Sequence, residues 1–116
     1  MVDLRQMRQF IAVAEELHFH RAAARLSMSQ PPLTVAIRKL EEEIGSKLIE
    51  RGNRTLGLTA AGTAFLEHAR LTLQQAERTV TATRETAAGR AAQIRLGYVG
   101  SALYGRLPDM IRAFRE

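Results

Sequence analysis

The most constraining feature of this chain is the stretch 27–45. It opens Ser27-Met28-Ser29, continues Gln30-Pro31-Pro32, then places Leu33, Ile37, Leu40 and Ile44 on one stripe ahead of Gly45. Apolar residues three and four apart predict a helix that buries one face. Two adjacent prolines fit such a helix only in its first turn, where the N–H groups have no intrahelical partner anyway. Ser29 is therefore expected as the N-cap and Gly45 as the C-terminal stop. The ends and the inward face of one helix are thus set, and that helix must find neighbours to cover its stripe.

The neighbours lie upstream. Residues 3–26 read as helical, with Met7, Phe10, Ile11, Ala14 and Leu17 at helical spacing and Asp3 with Gln6 forming a capping box at the start. His18-Phe19-His20 interrupts that helix. A short second helix over 21–26 follows, its Ala22, Ala23 and Ala24 permitting close packing. Two helices joined by a tight turn, the second opening on polar residues, make a helix-turn-helix pattern. Downstream, 47–50 and 55–58 are short apolar stretches around Arg51-Gly52-Asn53-Arg54, which predicts a small hairpin. Thr59 is expected to cap the next helix.

Residues 60–88 contain no proline. Gly62, Leu66, Ala69, Leu73, Ala76, Val80, Thr83 and Ala87 follow alternating spacings of four and three, a heptad seam weakened by its small and polar members. A hinge is expected at 89–93, a strand over 94–100, and an amphipathic helix carrying Leu107, Met110, Ile111 and Phe114. A lone strand and helix cannot bury themselves. The last segment therefore reads as the start of a further domain, belonging to a longer protein or a shortened form of one. The expected fold class is mainly α: a winged helix-turn-helix over 1–59, a linker and dimerisation helix over 60–89, and from 90 to 116 a hinge with a short β-strand and helix.

Composition narrows the function. The chain has no Cys, which excludes a disulfide-stapled scaffold, a Cys-ligated zinc site and a Cys nucleophile. No apolar run is long enough to span a membrane. The opening MVDLRQMRQF lacks the apolar core of a signal peptide, so the expected compartment is cytoplasmic. His18 and His20 form an H-x-H pair without further ligands, so no metal site is expected; His20 is read as a cap and His68 as helix surface. No paired His–carboxylate constellation, P-loop or dinucleotide fingerprint is present, so neither catalysis nor a cofactor is expected. The net charge of +5 and a pI near 10.7 point to a polyanionic partner. Segments 1–57, 58–90 and 91–116 carry +2, +1 and +2, so placement of charge matters more than its amount.

That placement suggests double-stranded DNA. Off the buried stripe, the helix after residue 29 offers Gln30, Pro31, Pro32, Thr34, Val35 and Arg38. Gln can pair with adenine, Thr can bond or touch a thymine methyl, and Arg can reach guanine or phosphate. Glu41-Glu42-Glu43 would be repelled by phosphate, so only the N-terminal half of the helix is expected in the groove. Arg51 and Arg54 at the hairpin tip suit the phosphate backbone or minor groove. Leu66, Ala69, Leu73, Ala76, Val80 and Thr83 are the expected dimer contacts. A dimerising, basic protein-interaction module without sequence-specific DNA binding is the alternative from another class.

The order of motifs also carries a resemblance. Phe19-His20-Arg21-Ala22-Ala23-Ala24-Arg25-Leu26, Ser29-Gln30-Pro31-Pro32-Leu33-Thr34, Ile37-Arg38-Lys39-Leu40-Glu41 and Leu58-Thr59-Ala60-Ala61-Gly62 together resemble the LysR-type transcriptional regulators. Gly97-Tyr98-Val99-Gly100-Ser101 is similar to the start of their effector domain. The match covers essentially the whole chain and is nearest the subgroup that regulates aromatic-compound breakdown. The resemblance implies a winged helix-turn-helix with its motif at 19–38, an antiparallel dimerising helix and an inducer domain of two α/β lobes mostly absent here, of which the β-strand and helix of 90–116 are the remnant. It also implies homodimers or dimers of dimers on pseudo-palindromic promoters, activation by a small-molecule inducer, and RNA polymerase as a further partner. Ser101 falls near the family's effector site, relevant only to a full-length protein. His20 stands where Thr or Ser is common, Thr34 where Ser is common, and Val35 where Arg is common. The last change shifts base reading toward Gln30, Thr34, Arg38 and the wing.

Overall fold

The structure is a computed structural model that describes residues 1–52 and 55–97. The chain divides after Gln75 into two units. The first begins with α1 (Leu4–Glu16), α2 (Phe19–Arg25) and α3 (Gln30–Ile44). A hairpin of β1 (Ile49–Arg51) and β2 (Leu56–Leu58) follows, and then α4 (Ala60–Gly97).

The expected capping box is present: the Gln6 N–H donates to Asp3 Oδ1 at 2.8 Å, and the Asp3 N–H to Gln6 Oε1 at 2.8 Å. α1 ends on Leu17, left-handed at φ 49°. α2 therefore starts at Phe19, earlier than expected, and its cap is His18 rather than His20. The Arg21 N–H donates to His18 Nδ1 at 3.1 Å. Between α2 and α3 the chain turns at Ser27, also left-handed at φ 55°, a conformation that disfavours any residue with a Cβ.

α3 starts and stops where expected. Ser29 holds the cap position in extended backbone, but its side chain makes no capping bond; Gly45 closes the helix at φ 85°. Leu33, Ile37 and Leu40 are fully buried with Phe10, Val13 and Leu48. Each such side chain contributes about 1.5–3 kcal/mol. Ile44, expected in the stripe, is 39% exposed, because the last turn of α3 runs past the core. Glu41 takes the inward position instead and is 5% exposed. Its Oε2 accepts the N–H groups of Leu48 at 2.7 Å and Ile49 at 3.2 Å, which meets the rule that a buried carboxylate needs partners. That carboxylate ties the start of the hairpin to α3.

In the hairpin, Ile49 pairs with Leu58 and Arg51 with Leu56, antiparallel. Arg51 thus belongs to the strand rather than the tip. Thr59 caps α4 as expected, its Oγ1 accepting the Gly62 N–H at 2.9 Å while donating to the Lys47 carbonyl at 2.6 Å. Gly62 lies against the backbone of Leu48 so closely that a Cβ would strike the Leu48 carbonyl oxygen. It is a packing glycine within the chain. Phe65 meets Phe10 edge-on, ring centroids 4.9 Å apart, and fixes α4 on α1.

In the second unit α4 continues to Gly97. Helix therefore occupies 89–93, where a hinge was expected, and 94–97, where a strand was expected to begin. Thr83 donates its hydroxyl to the Thr79 carbonyl at 2.7 Å and Thr86 to that of Ala82 at 3.0 Å, which is how threonines are accommodated inside a helix. The expected strand end, the amphipathic helix near residue 110 and Ser101 lie outside the described residues.

Candidate nucleic-acid interface

With Leu33, Ile37 and Leu40 locked inward, the opposite face of α3 is free. Gln30, Pro31, Pro32, Val35 and Arg38 are all exposed, and Val35 is 49% exposed. Thr34 sits at the edge of that face, half-buried, and its hydroxyl donates to the Gln30 carbonyl at 3.3 Å. Its donor is therefore engaged within the helix, which leaves it only an acceptor and a methyl to offer.

The expected wing lies beside this face. Arg38, Lys47, Ile49, Glu50, Arg51, Gly52 and Thr59 line an open groove of about 850 Å³. Three cations against one carboxylate make it net positive, which suits a phosphate backbone. The Arg51 guanidinium lies 5.2 Å from the centroid of the Phe19 ring, within cation–π range. That contact holds the root of the wing against the first residue of α2. Lys47 was not singled out from sequence; only the fold brings it next to Arg38, nine residues earlier. Arg54 lies outside the described residues.

The acidic run splits three ways. Glu41 turns inward, Glu42 stays exposed toward the C-terminal end of the outer face, and Glu43 faces the N-terminus of the chain. Glu43 Oε1 accepts from Gln6 Nε2 at 3.0 Å, and its Oε2 lies 3.7 Å from the Met1 amine.

A second cluster joins α1, α2 and α4. Glu15 accepts from Arg25 at 2.6 Å and Arg70 at 2.7 Å, and Arg25 also reaches Glu16 at 3.4 Å. Hydrogen bonds from Arg70 and then Arg25 hold the Glu15 carboxyl below its ordinary range, and Glu15 raises Arg25 in turn.

Of the expected dimer contacts, Leu66 packs half-buried on the core and Ala69 is 2% exposed. Ala69 is covered by its own chain, and Leu66 in part. Leu73 and Ala76 are half-buried, and Thr83 and Val80 are exposed, Val80 to 48%. His18 and His20 face each other edge-on at 6.4 Å. Among the described residues no group of three potential ligands could hold a metal, and no helix is long and apolar enough to cross a membrane.

A helix-turn-helix with a basic wing and a free outer face on its second helix defines a class of nucleic-acid-binding folds. Comparison with known proteins narrows it. The family described as "Bacterial regulatory helix-turn-helix protein, lysR family" matches residues 4–63. The chain belongs to the LysR family of bacterial regulatory helix-turn-helix proteins. It is 47% identical over 115 residues to the HTH-type transcriptional regulator AlsR of Bacillus subtilis (strain 168). It is 44% identical over 115 residues to the probable cat1 operon transcriptional activator of Acinetobacter lwoffii. Each alignment takes in 99% of this chain but only 38% of the relative, so the chain spans under two fifths of their length. The DNA-bound DNA-binding domain of CbnR superposes with a TM-score of 0.71 at 46% identity, covering 74% of this chain and 99% of that one. The DNA-bound BenM domain gives 0.72 at 41%, covering 76% and 99%.

Proposed function

We propose that this chain is the DNA-binding and pairing portion of a sequence-specific transcriptional regulator that acts on double-stranded promoter DNA. The observation that carries this reading is the outer face of α3: its first two turns are exposed and beside a net-positive groove, while its stripe is fixed in the core. Such a helix enters the major groove N-terminus first. Gln30 and Arg38 supply donors for base edges, Pro31 and Pro32 apolar surface, and Arg51 with Lys47 phosphate contacts; Arg54 completes the wing. Glu42 keeps the far end of α3 off the phosphates. The likeness to domains solved on DNA favours this reading over a protein-interaction module.

Pairing rests on α4. Leu73, Ala76, Val80 and Thr83 supply the stripe by which a homodimer forms, which in turn sets half-site spacing on the DNA. Leu66 and Ala69 serve it by fixing α4 to the winged unit. Dimers of dimers, contact with RNA polymerase and a small-molecule inducer, with Ser101 at its site, belong to the full-length protein. There the protein is an activator in the cytoplasm, without catalysis or cofactor. The relative named as an operon activator supports that sign of regulation.

A gel-shift series over increasing salt tests the reading. Specific duplexes should stay bound at salt concentrations that release scrambled ones. Replacing Arg38 with Ala should cost about 1–3 kcal/mol if it reads a base, or flatten the salt dependence if it touches phosphate. Equal affinity for specific and scrambled duplexes would refute sequence-specific binding.

A further inference from the structure

We propose that Val35 reads the C5-methyl group of a thymine, so that each operator half-site carries a thymine where the middle of α3 meets the base edges. This rests on the DNA-binding reading above and names what that surface recognises. At about 100° per residue, Val35 lies roughly opposite the midpoint of Leu33, Ile37 and Leu40. Within the N-terminal half of α3 it is therefore the residue aimed most directly away from the core, with Pro31 one turn before it and Arg38 one turn after it. The core does not use Val35, which is absent from the buried cluster and 49% exposed. Helix propensity does not favour it either, since a β-branched side chain is a poor choice on an exposed helix face.

Its chemistry selects the ligand. Valine has no donor or acceptor, so pressing it on the polar groups of guanine, adenine or cytosine would desolvate them without replacement. The thymine methyl is the one methyl group that the four bases show in the major groove. Thr34 does not compete for it from the centre of the face, because it is half-buried at the edge and bonded back to Gln30. The Pro31 ring extends the apolar surface beside Val35, and Arg38 anchors the next turn.

The test uses the full chain and duplexes it enriches from a random pool. Each thymine is replaced in turn by deoxyuridine, which removes only the C5-methyl, and affinity is read by fluorescence anisotropy. At one thymine per half-site the affinity should fall about fourfold, the effect of one lost methyl contact. Val35→Ala, an exposed change toward a better helix former, withdraws the apolar contact by one bond and should lose most of the thymine-over-uracil preference. Val35→Thr keeps a methyl branch and should keep the discrimination. At the same position 5-methylcytosine should bind better than cytosine. Specific binding that ignores uracil at every thymine, or discrimination undiminished in Val35→Ala, overturns the proposal. Failure to enrich any duplex removes the DNA-binding reading itself and the proposal with it.

Discussion

α3 and α4 carry the same kind of apolar stripe and meet different fates. In α3 the stripe is buried within the chain from Leu33 to Leu40, and the exposed face is left for a ligand. In α4 the stripe starts buried at Gly62 and Ala69 and ends in solvent at Val80 and Thr83. A helical stripe thus has no fixed meaning. Within reach of its own core it is architecture; beyond that core it needs another surface.

The hardest break in this contrast is Gly62→Ala. A methyl there meets the Leu48 backbone, which cannot yield as a side chain could. The variant should lose about 3 kcal/mol, despite alanine's better helix propensity, as read by urea denaturation. Gly57→Ala, which meets only the Glu50 carboxylate at 4.0 Å, should cost far less. Next comes the inward end of α3. Glu41→Ala leaves two buried N–H groups without their acceptor and should destabilise by about 2 kcal/mol, while Glu42→Ala stays within about 0.5 kcal/mol.

The outer part of α4 should respond oppositely. Val80 is exposed, so in Val80→Asp the thermal midpoint of the winged unit should hold. Sedimentation should nevertheless show monomers. A variant that stays dimeric would move the pairing surface away from the stripe.

The smallest effect concerns the tie between α4 and the first two helices. The folded Glu15 carboxyl is lowered from an ordinary value of 4.5. Its contribution is therefore complete above that value and is lost as pH falls through the folded one. The partners are exposed, so Glu15→Gln should cost under about 1 kcal/mol at neutral pH. Its stability should also fall less steeply in acid than that of the parent chain.

Much of this could be read from spacing. The α3 stripe, the Asp3–Gln6 box, the Gly45 stop and the Thr59 cap are local signals, and the fold keeps them. Features that depend on distant partners were not legible. Glu41 reads as one of three solvated acids until Leu48 and Ile49, seven and eight residues on, present their N–H groups. Ile44 fits the period but lies past the core. The cap of α2 is His18 rather than His20 because α1 ends on left-handed Leu17 and α2 starts two residues earlier than expected. Gly89 costs a helix about 1 kcal/mol, and the alanines around it are strong helix formers, so α4 runs through the expected hinge.

The central claim is that α3 reads a sequence and α4 sets the distance between two readings. Selecting bound duplexes from a random pool tests both at once. Two related, inverted half-sites at one fixed spacing should be enriched. Enrichment of single sites at no fixed spacing, or no enrichment over the starting pool, would contradict it.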